Sequence, residues 1–219
     1  MIRQNNPVRL GVGSYSVPDA ARLIGTTTRE IRRWMNPRSG VAGPVPGPKE
    51  QTLTFLELLE LHVVALFRDR EVTLGTIRKV EKTAEGRFGS LYPFAARRLE
   101  SEGGAVFAAS PDDGERTAST EELNRARQVF DSTVRPFLKK LEYDNDEAIR
   151  FWPMGRNERV VLDPQRKFGK PIDYETGVPT SALYAAVVAG DEPPVVARWF
   201  GVPAAAVRAA VAFETSLAP

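Results

Sequence analysis

Ala21-Arg22-Leu23-Ile24-Gly25, with Ile31-Arg32 six residues beyond the glycine, decides how this chain is read, because the pattern occurs twice. The second copy is Ala197-Arg198-Trp199-Phe200-Gly201 with Val207-Arg208. The spacing predicts a helix, a glycine turn and a second helix whose aliphatic residue packs back on the first, as in a helix-turn-helix. The copies diverge where a second helix would meet DNA. The first has Thr26-Thr27-Thr28-Arg29-Glu30 before its aliphatic residue and Arg32-Arg33-Trp34 from it onward; the second has Val202-Pro203-Ala204-Ala205-Ala206 and Arg208-Ala209-Ala210. One surface carries hydroxyls and guanidiniums, the other mostly methyl groups.

Working outward from the first copy, Ser16 is the expected N-cap of a helix from about Val17 to Ile24, with Pro18 in its tolerant first turn. Gly25 ends that helix, and Thr26 or Thr27 caps the next, which reaches about Met35. The run from Asn36 to Pro48 holds four prolines and three glycines, so no helix continues through it. Gln51-Thr52-Leu53-Thr54-Phe55 then alternates like a short strand. A helix pair, a Gly/Pro loop and a strand predict a winged helix-turn-helix. On a helical wheel with Ile31 toward the core, Trp34 and Met35 flank it, Arg29 and Arg33 lie nearly opposite, and Arg32 lies to one side. Thr27 and Thr28 occupy the first turn, the part of a recognition helix that approaches bases. Arginine can pair bidentately with guanine or hold phosphate, and threonine can meet base edges or the thymine methyl. The competing reading is a solvated basic helix in an ordinary helical domain.

Charge distribution supports the first reading. Residues 1–50 contain eight basic and three acidic side chains, a net +5 in a chain whose total is +2. Such a local excess attracts phosphates even when the whole protein is nearly neutral.

The remaining chain of 219 residues, 42% hydrophobic and 26% charged, can bury a sizeable core. Phe55 to about Asp69 reads as an amphipathic helix with Leu58, Leu59, Leu61, Val63, Val64, Leu66 and Phe67 on a wide apolar face. A further helix is expected from Thr73 or Gly75 through Ile77 and Val80 to about Ala84. Ala105-Val106-Phe107-Ala108 is read as a strand, and 110–119 as a loop. A long helix is expected from Leu123 to about Phe137, bending at Pro136. The acidic stretch Asp144–Glu147 is read as a boundary. Arg159–Leu162 is read as a strand that Lys167–Ile172 pairs with, and three helices follow: about 181–189, 194–200 and 203–213. The expected organisation is a flexible lead (1–14), a winged helix-turn-helix (15–85), a middle connector or dimerisation region (86–150) and a C-terminal three-helix, helix-turn-helix-like module with a short β element (158–215). The fold class is mainly α.

Catalysis finds little footing. There is no cysteine and His62, on an apolar-rich helix, is the only histidine, which excludes thiolate chemistry, Ser-His-Asp triads and histidine-rich metal sites. His62 reads as a packed or partly exposed residue and not as a catalytic base. Asp112-Asp113 and Asp144/Asp146/Glu147 read as solvated loops, and Asp163 before Pro164 as a turn residue. No metal, cofactor or catalytic residue is expected. No apolar run approaches the roughly 18–20 residues of a membrane span, and the first residues lack a signal-peptide core, so a cytoplasmic protein is expected, on the nucleoid when bound to DNA.

Tyr15-Ser16-Val17-Pro18-Asp19-Ala20-Ala21 through Gly25-Thr26-Thr27, with Ile31-Arg32-Arg33-Trp34, resembles the DNA-binding head of MerR-type regulators. The resemblance implies that Arg32 and Trp34 brace the phosphate backbone and that Thr28 and Arg29 face bases. It places Arg38, Ser39 and Lys49 on the wing, and Tyr15, Thr27 and Arg33 complete the candidate DNA-contact set. The long coiled-coil helix usual after such heads is not present as a heptad seam. Val161-Leu162-Asp163-Pro164 through Phe168-Gly169-Lys170-Pro171 to Gly177-Val178-Pro179-Thr180 is similar to a small bacterial domain of unknown function found beside PIN-like toxin genes, although Gly177 stands where that domain usually has arginine. Together the two parts resemble the longer VapB-type antitoxins. That implies a DNA-bound homodimer that represses its own operon and neutralises a PIN-like ribonuclease. The alternative is a stand-alone regulator or architectural protein without a toxin. In the second motif copy, the alanine-rich helix points to packing or dimerisation. Trp199 and Phe200 are read first as core of the small module and otherwise as interface anchors. Val207, Ala209 and Ala210 complete the candidate dimer or partner interface.

Overall fold

The computed structural model describes residues 13–35, 52–110 and 119–217. Within them the protein is mainly helical, with one two-stranded and one four-stranded sheet.

Strand β1 (Tyr15–Ser16) leads into α1 (Val17–Ile24). The Ser16 hydroxyl accepts from the Asp19 amide at 3.2 Å, and Gly25 closes the helix at φ 79°, a left-handed value that glycine adopts without a Cβ penalty. Helix α2 (Thr28–Trp34) starts at a reciprocal capping box: the Thr27 hydroxyl accepts from the Glu30 amide, and the Glu30 carboxylate accepts from the Thr27 amide. Strand β2 (Thr52–Leu53) returns antiparallel beside β1, Tyr15 opposite Leu53, so the foot of α1 and the start of α3 (Phe55–Arg68) lie together. A second capping box, Thr54 with Glu57, opens α3.

Helix α4 (Leu74–Phe88) runs a turn further than its apolar pattern suggested. Helix α5 (Arg97–Ala109) corrects the strand expected at 105–108. The reason is packing: a Cβ on Gly103 would lie 2.2 Å from Phe130 Cζ, so this glycine lets an aromatic ring approach the helix and does not interrupt it. The expected long bent helix is α6 (Thr120–Val129), a π-helical turn (Phe130–Val134) and α7 (Arg135–Leu138). The wide turn falls just before Pro136, which has no N–H to donate backward.

Four antiparallel strands follow in the order β3 (Leu141–Asp144), β4 (Glu147–Phe151), β5 (Val160–Leu162), β6 (Pro171–Asp173). The acidic stretch at 144–147 is therefore the tip of the β3–β4 hairpin, with Asn145 at φ 54°, and not a boundary. Helices α8 (Thr180–Val188), α9 (Pro193–Phe200) and α10 (Ala204–Ser216) finish the described chain. No single helix among the described residues is long and apolar enough to cross a membrane.

One hydrophobic core runs without a break from Tyr15, Ile31 and Trp34 through Leu59, Phe67, Val80, Leu99 and Phe130 to Phe151 and Leu162. A smaller one, built on Leu183, Val196, Val207 and Ala210, holds the three C-terminal helices together.

Candidate nucleic-acid interface

Helix α2 has two sides of opposite character. Ile31, Trp34 and Met35 are buried in the main core on the side of α2 that packs on α1, while Arg29, Arg32 and Arg33 are exposed. The wheel reading of the three arginines therefore agrees with their placement, and Thr28 is half-buried at the first helical position.

Three of the expected contact residues have other work. Trp34 is only 3% exposed, so it packs the head from within and does not reach outward to a phosphate. Tyr15 is 2% exposed, and its hydroxyl donates to the Gly169 carbonyl at 2.8 Å. Burial, and then the nearby Asp163 charge, raise the Tyr15 pKa, so the phenol stays a donor. The Thr27 hydroxyl, assigned to base edges, sits within 3.1 Å of both the Glu30 amide and the Glu30 carboxylate. Glu30 itself is held below the usual carboxylate range, first by the Thr26 hydroxyl at 2.6 Å, then by the Thr27 amide and hydroxyl. Its negative charge is thus tied to the helix start while the arginines point away. Arg38, Ser39 and Lys49, expected on the wing, lie outside the described residues.

The second copy repeats the backbone of the first. In the first copy the amide of Thr26 donates to the Ala21 carbonyl at 2.9 Å; in the second, that of Val202 donates to the Ala197 carbonyl at 2.9 Å. Gly201 has φ 62° where Gly25 has 79°. Side chains differ as the sequence demands. Val207 and Ala210 are fully buried in the small core, which removes them from the candidate interface; Ala209 is half-buried. Trp199 is 67% exposed and Phe200 39%, so neither is the core residue its size suggested. The smaller Val196 and Ala197 fill that core.

Two connections between the head and the C-terminal half escaped sequence reading. In the first, Lys167, Phe168 and Gly169 all have positive φ (49°, 58° and 81°). This left-handed run turns two carbonyls toward the head: Ser14 N–H donates to Phe168 at 2.9 Å, and the Tyr15 hydroxyl to Gly169. In the second, Arg22 of the first motif copy reaches the buried carboxylate of Glu214 on α10 at 2.7 Å, and the Thr180 hydroxyl donates to the other oxygen. The strand expected over Lys167–Ile172 begins only at Pro171, because the left-handed run at 167–169 turns the chain first, and the Tyr15 partner of Gly169, 154 residues away, carried no local signal.

His62 packs half-buried, its ring centroid 4.5 Å from that of Phe137 and 5.7 Å from that of Phe151. Asp163 is more than a turn residue: it accepts from the Gln165 amide and pairs with Arg150 at 2.9 Å. Among the described residues no group of three His, Asp or Glu side chains is placed to hold a metal ion.

The architecture is similar to the crystal structure of Rv2018 from Mycobacterium tuberculosis, with a TM-score of 0.74 and 22% sequence identity over 93% of this chain and 100% of that one. At that identity the similarity concerns the fold. No family model matches the chain, and no curated protein matches it.

Proposed function

We propose that the protein is a sequence-specific DNA-binding transcription regulator whose head is a winged helix-turn-helix with α2 as the recognition helix. The observation that carries this is the outward row of Arg29, Arg32 and Arg33 on a helix whose other side, Ile31 and Trp34, is core. Three guanidiniums on one exposed face, just after a glycine turn, suit phosphate contact and guanine readout. The C-terminal module would supply dimerisation and partner binding, with the exposed rings of Trp199 and Phe200 as anchors. A dimer would present two α2 helices about 34 Å apart to a palindromic or repeated operator. Following the sequence resemblance, the partner is a PIN-like ribonuclease toxin, and the operator is that of the shared operon.

The test is to sequence DNA that co-purifies with the protein and to titrate the enriched site in gel-shift assays. An Arg29/Arg32/Arg33→Ala variant is expected to lose operator affinity and to flatten the salt dependence, by up to about 0.9 in log–log slope for each phosphate it no longer neutralises. Full affinity in that variant overturns the reading. Mass measurement of the purified complex separates an antitoxin from a stand-alone regulator: the former carries a second polypeptide that Trp199→Glu releases, the latter only copies of itself.

A further inference from the structure

A cleft of about 330 Å³ opens between α1, α3, the π-helical turn and α7, the sheet and α10. Its walls include Leu23 of α1, His62 of α3, Phe137 of α7, Phe151 of β4 and Phe213 of α10. Met154, 42% exposed, stands among its lining residues in the connection after β4. The volume lies at the low end of small-molecule sites.

The electrostatics are one-sided. Among the described residues that line the cleft, Lys140 alone carries a formal charge, and there is no aspartate or glutamate. One Lys140 N–H donates to the Pro153 carbonyl at 3.0 Å, and an ammonium has three such donors. The other titratable wall, His62, is kept neutral at physiological pH: burial first, and then the positive charge of Lys140, push its pKa down to about 4. A cation entering here meets Lys140 with no counter-charge. A neutral apolar molecule fills the space and leaves the ammonium without an ion partner. A carboxylate answers both features.

We propose that this cleft is a binding site for a small hydrophobic monocarboxylate, with its apolar body against Phe137, Phe151 and Phe213 and its carboxylate on Lys140. The walls come from the head, the helical middle, the sheet and α10, so an occupant bridges elements far apart in sequence. It therefore stabilises the docked arrangement of head and C-terminal helices by mass action. The proposal does not depend on the DNA-binding reading, and its test uses no DNA.

His62 is the only histidine in the chain, so its imidazole proton resonance reports on this cleft without assignment ambiguity. Full-length protein is titrated with 4-phenylbutyrate and, in parallel, with 4-phenylbutylamine and 4-phenylbutanol. The carboxylate is expected to shift the His62 resonance saturably and to bind at least about tenfold more tightly than the amine or the alcohol. In the saturated complex the His62 pKa rises, because the carboxylate offsets the Lys140 charge. Lys140→Met is expected to weaken 4-phenylbutyrate about tenfold. Met154→Trp, which narrows the cleft without touching Lys140, blocks binding and keeps the test decisive if Lys140→Met fails to fold. Absence of a saturable His62 shift into the millimolar range, equal binding of the amine, or undiminished binding by either variant overturns the proposal.

Discussion

Gly169→Ala is the sharpest probe of how the head is fastened. At φ 81° an alanine pays about 1–2 kcal/mol for the left-handed conformation alone. Its Cβ would also lie 2.2 Å from the Tyr15 hydroxyl and 2.8 Å from the ring carbon that carries it. Tyr15 is buried, so the phenol cannot step into solvent. Moving it breaks the 2.8 Å bond to the Gly169 carbonyl and strands a buried hydroxyl, a loss of about 1–3 kcal/mol. The two effects together predict about 3 kcal/mol, or a fall in Tm of about 6–12 °C for a chain of this length. Gly89→Ala is the control, because Gly89 has φ 66° and nothing within 4 Å of the added carbon, so it suffers the backbone strain only. Tyr15→Phe isolates the hydrogen bond at about 1 kcal/mol. Equilibrium urea unfolding of the three variants, followed by tryptophan fluorescence, gives the comparison. If Gly169→Ala loses no more than Gly89→Ala, the contact between residues 13–15 and 167–169 does not hold the head, and the reasoning fails.

Other expectations follow from charges in the interior. Arg22→Met leaves the Glu214 carboxylate buried with only Thr180; because the Arg22 side chain is 43% exposed, the loss is about 1–2 kcal/mol, below that of a fully buried pair, and Glu214→Gln should lose less by the same urea assay. Glu60 is buried, accepts from the Phe94 and Ala95 amides, and is pushed well above the usual carboxylate range by burial and then by Glu81. The unfolded chain releases that proton near pH 4.5 and the folded chain only at higher pH, so this group's contribution to stability falls as pH rises through that window. Glu60→Gln should match the wild type at pH 4 and exceed it by about 1 kcal/mol at pH 8; a constant difference between the two pH values would contradict this. His62 works in the opposite direction: its folded pKa of about 4 lies below the unfolded 6.5, so stability falls as pH drops from about 6.5 to 4, by up to about 3 kcal/mol, and His62→Gln should flatten that slope in Tm measured against pH. In DNA titrations Arg29→Ala should change sequence preference as well as affinity, whereas Lys49→Ala should weaken all sequences alike.

The parts of the fold that could be read early are those written in short range. Ser16 and Thr27 announce helix starts through side chains that bond three residues on, and Gly25 and Gly201 announce helix ends through φ alone. The outward arginines were legible for the same reason, since one turn of helix fixes which side chains share a face. Trp34, Tyr15, Trp199 and Phe200 resist such reading because burial is decided by what packs from elsewhere. Trp34 and Tyr15 are taken into the main core, with Leu53 of the returning β2 opposite Tyr15, while Val196 and Ala197 of α9 occupy the small core and leave Trp199 outside it. The apolar run at 105–108 resembled a strand, and the close approach of the Phe130 ring to Gly103 that goes with its helix had no local signal. The carbonyls of residues 168 and 169 and the Arg22–Glu214 pair connect positions 154 to 192 residues apart, and no window of sequence spans them.

Those long connections set an order of events during synthesis. The Tyr15 hydroxyl meets its acceptor only after 154 more residues have been made, roughly 8–30 s at ordinary elongation rates. Arg22 waits for another stretch, until Glu214 is translated. The β1–β2 pair and the first three helices can close on each other earlier, from contacts within the first 68 residues. A nascent chain therefore passes through a long interval in which the arginine face of α2 already exists but is not yet moored to the C-terminal helices. A ribosome stalled before codon 167 would leave that face on a head whose Ser14, Tyr15 and Arg22 still lack their C-terminal partners.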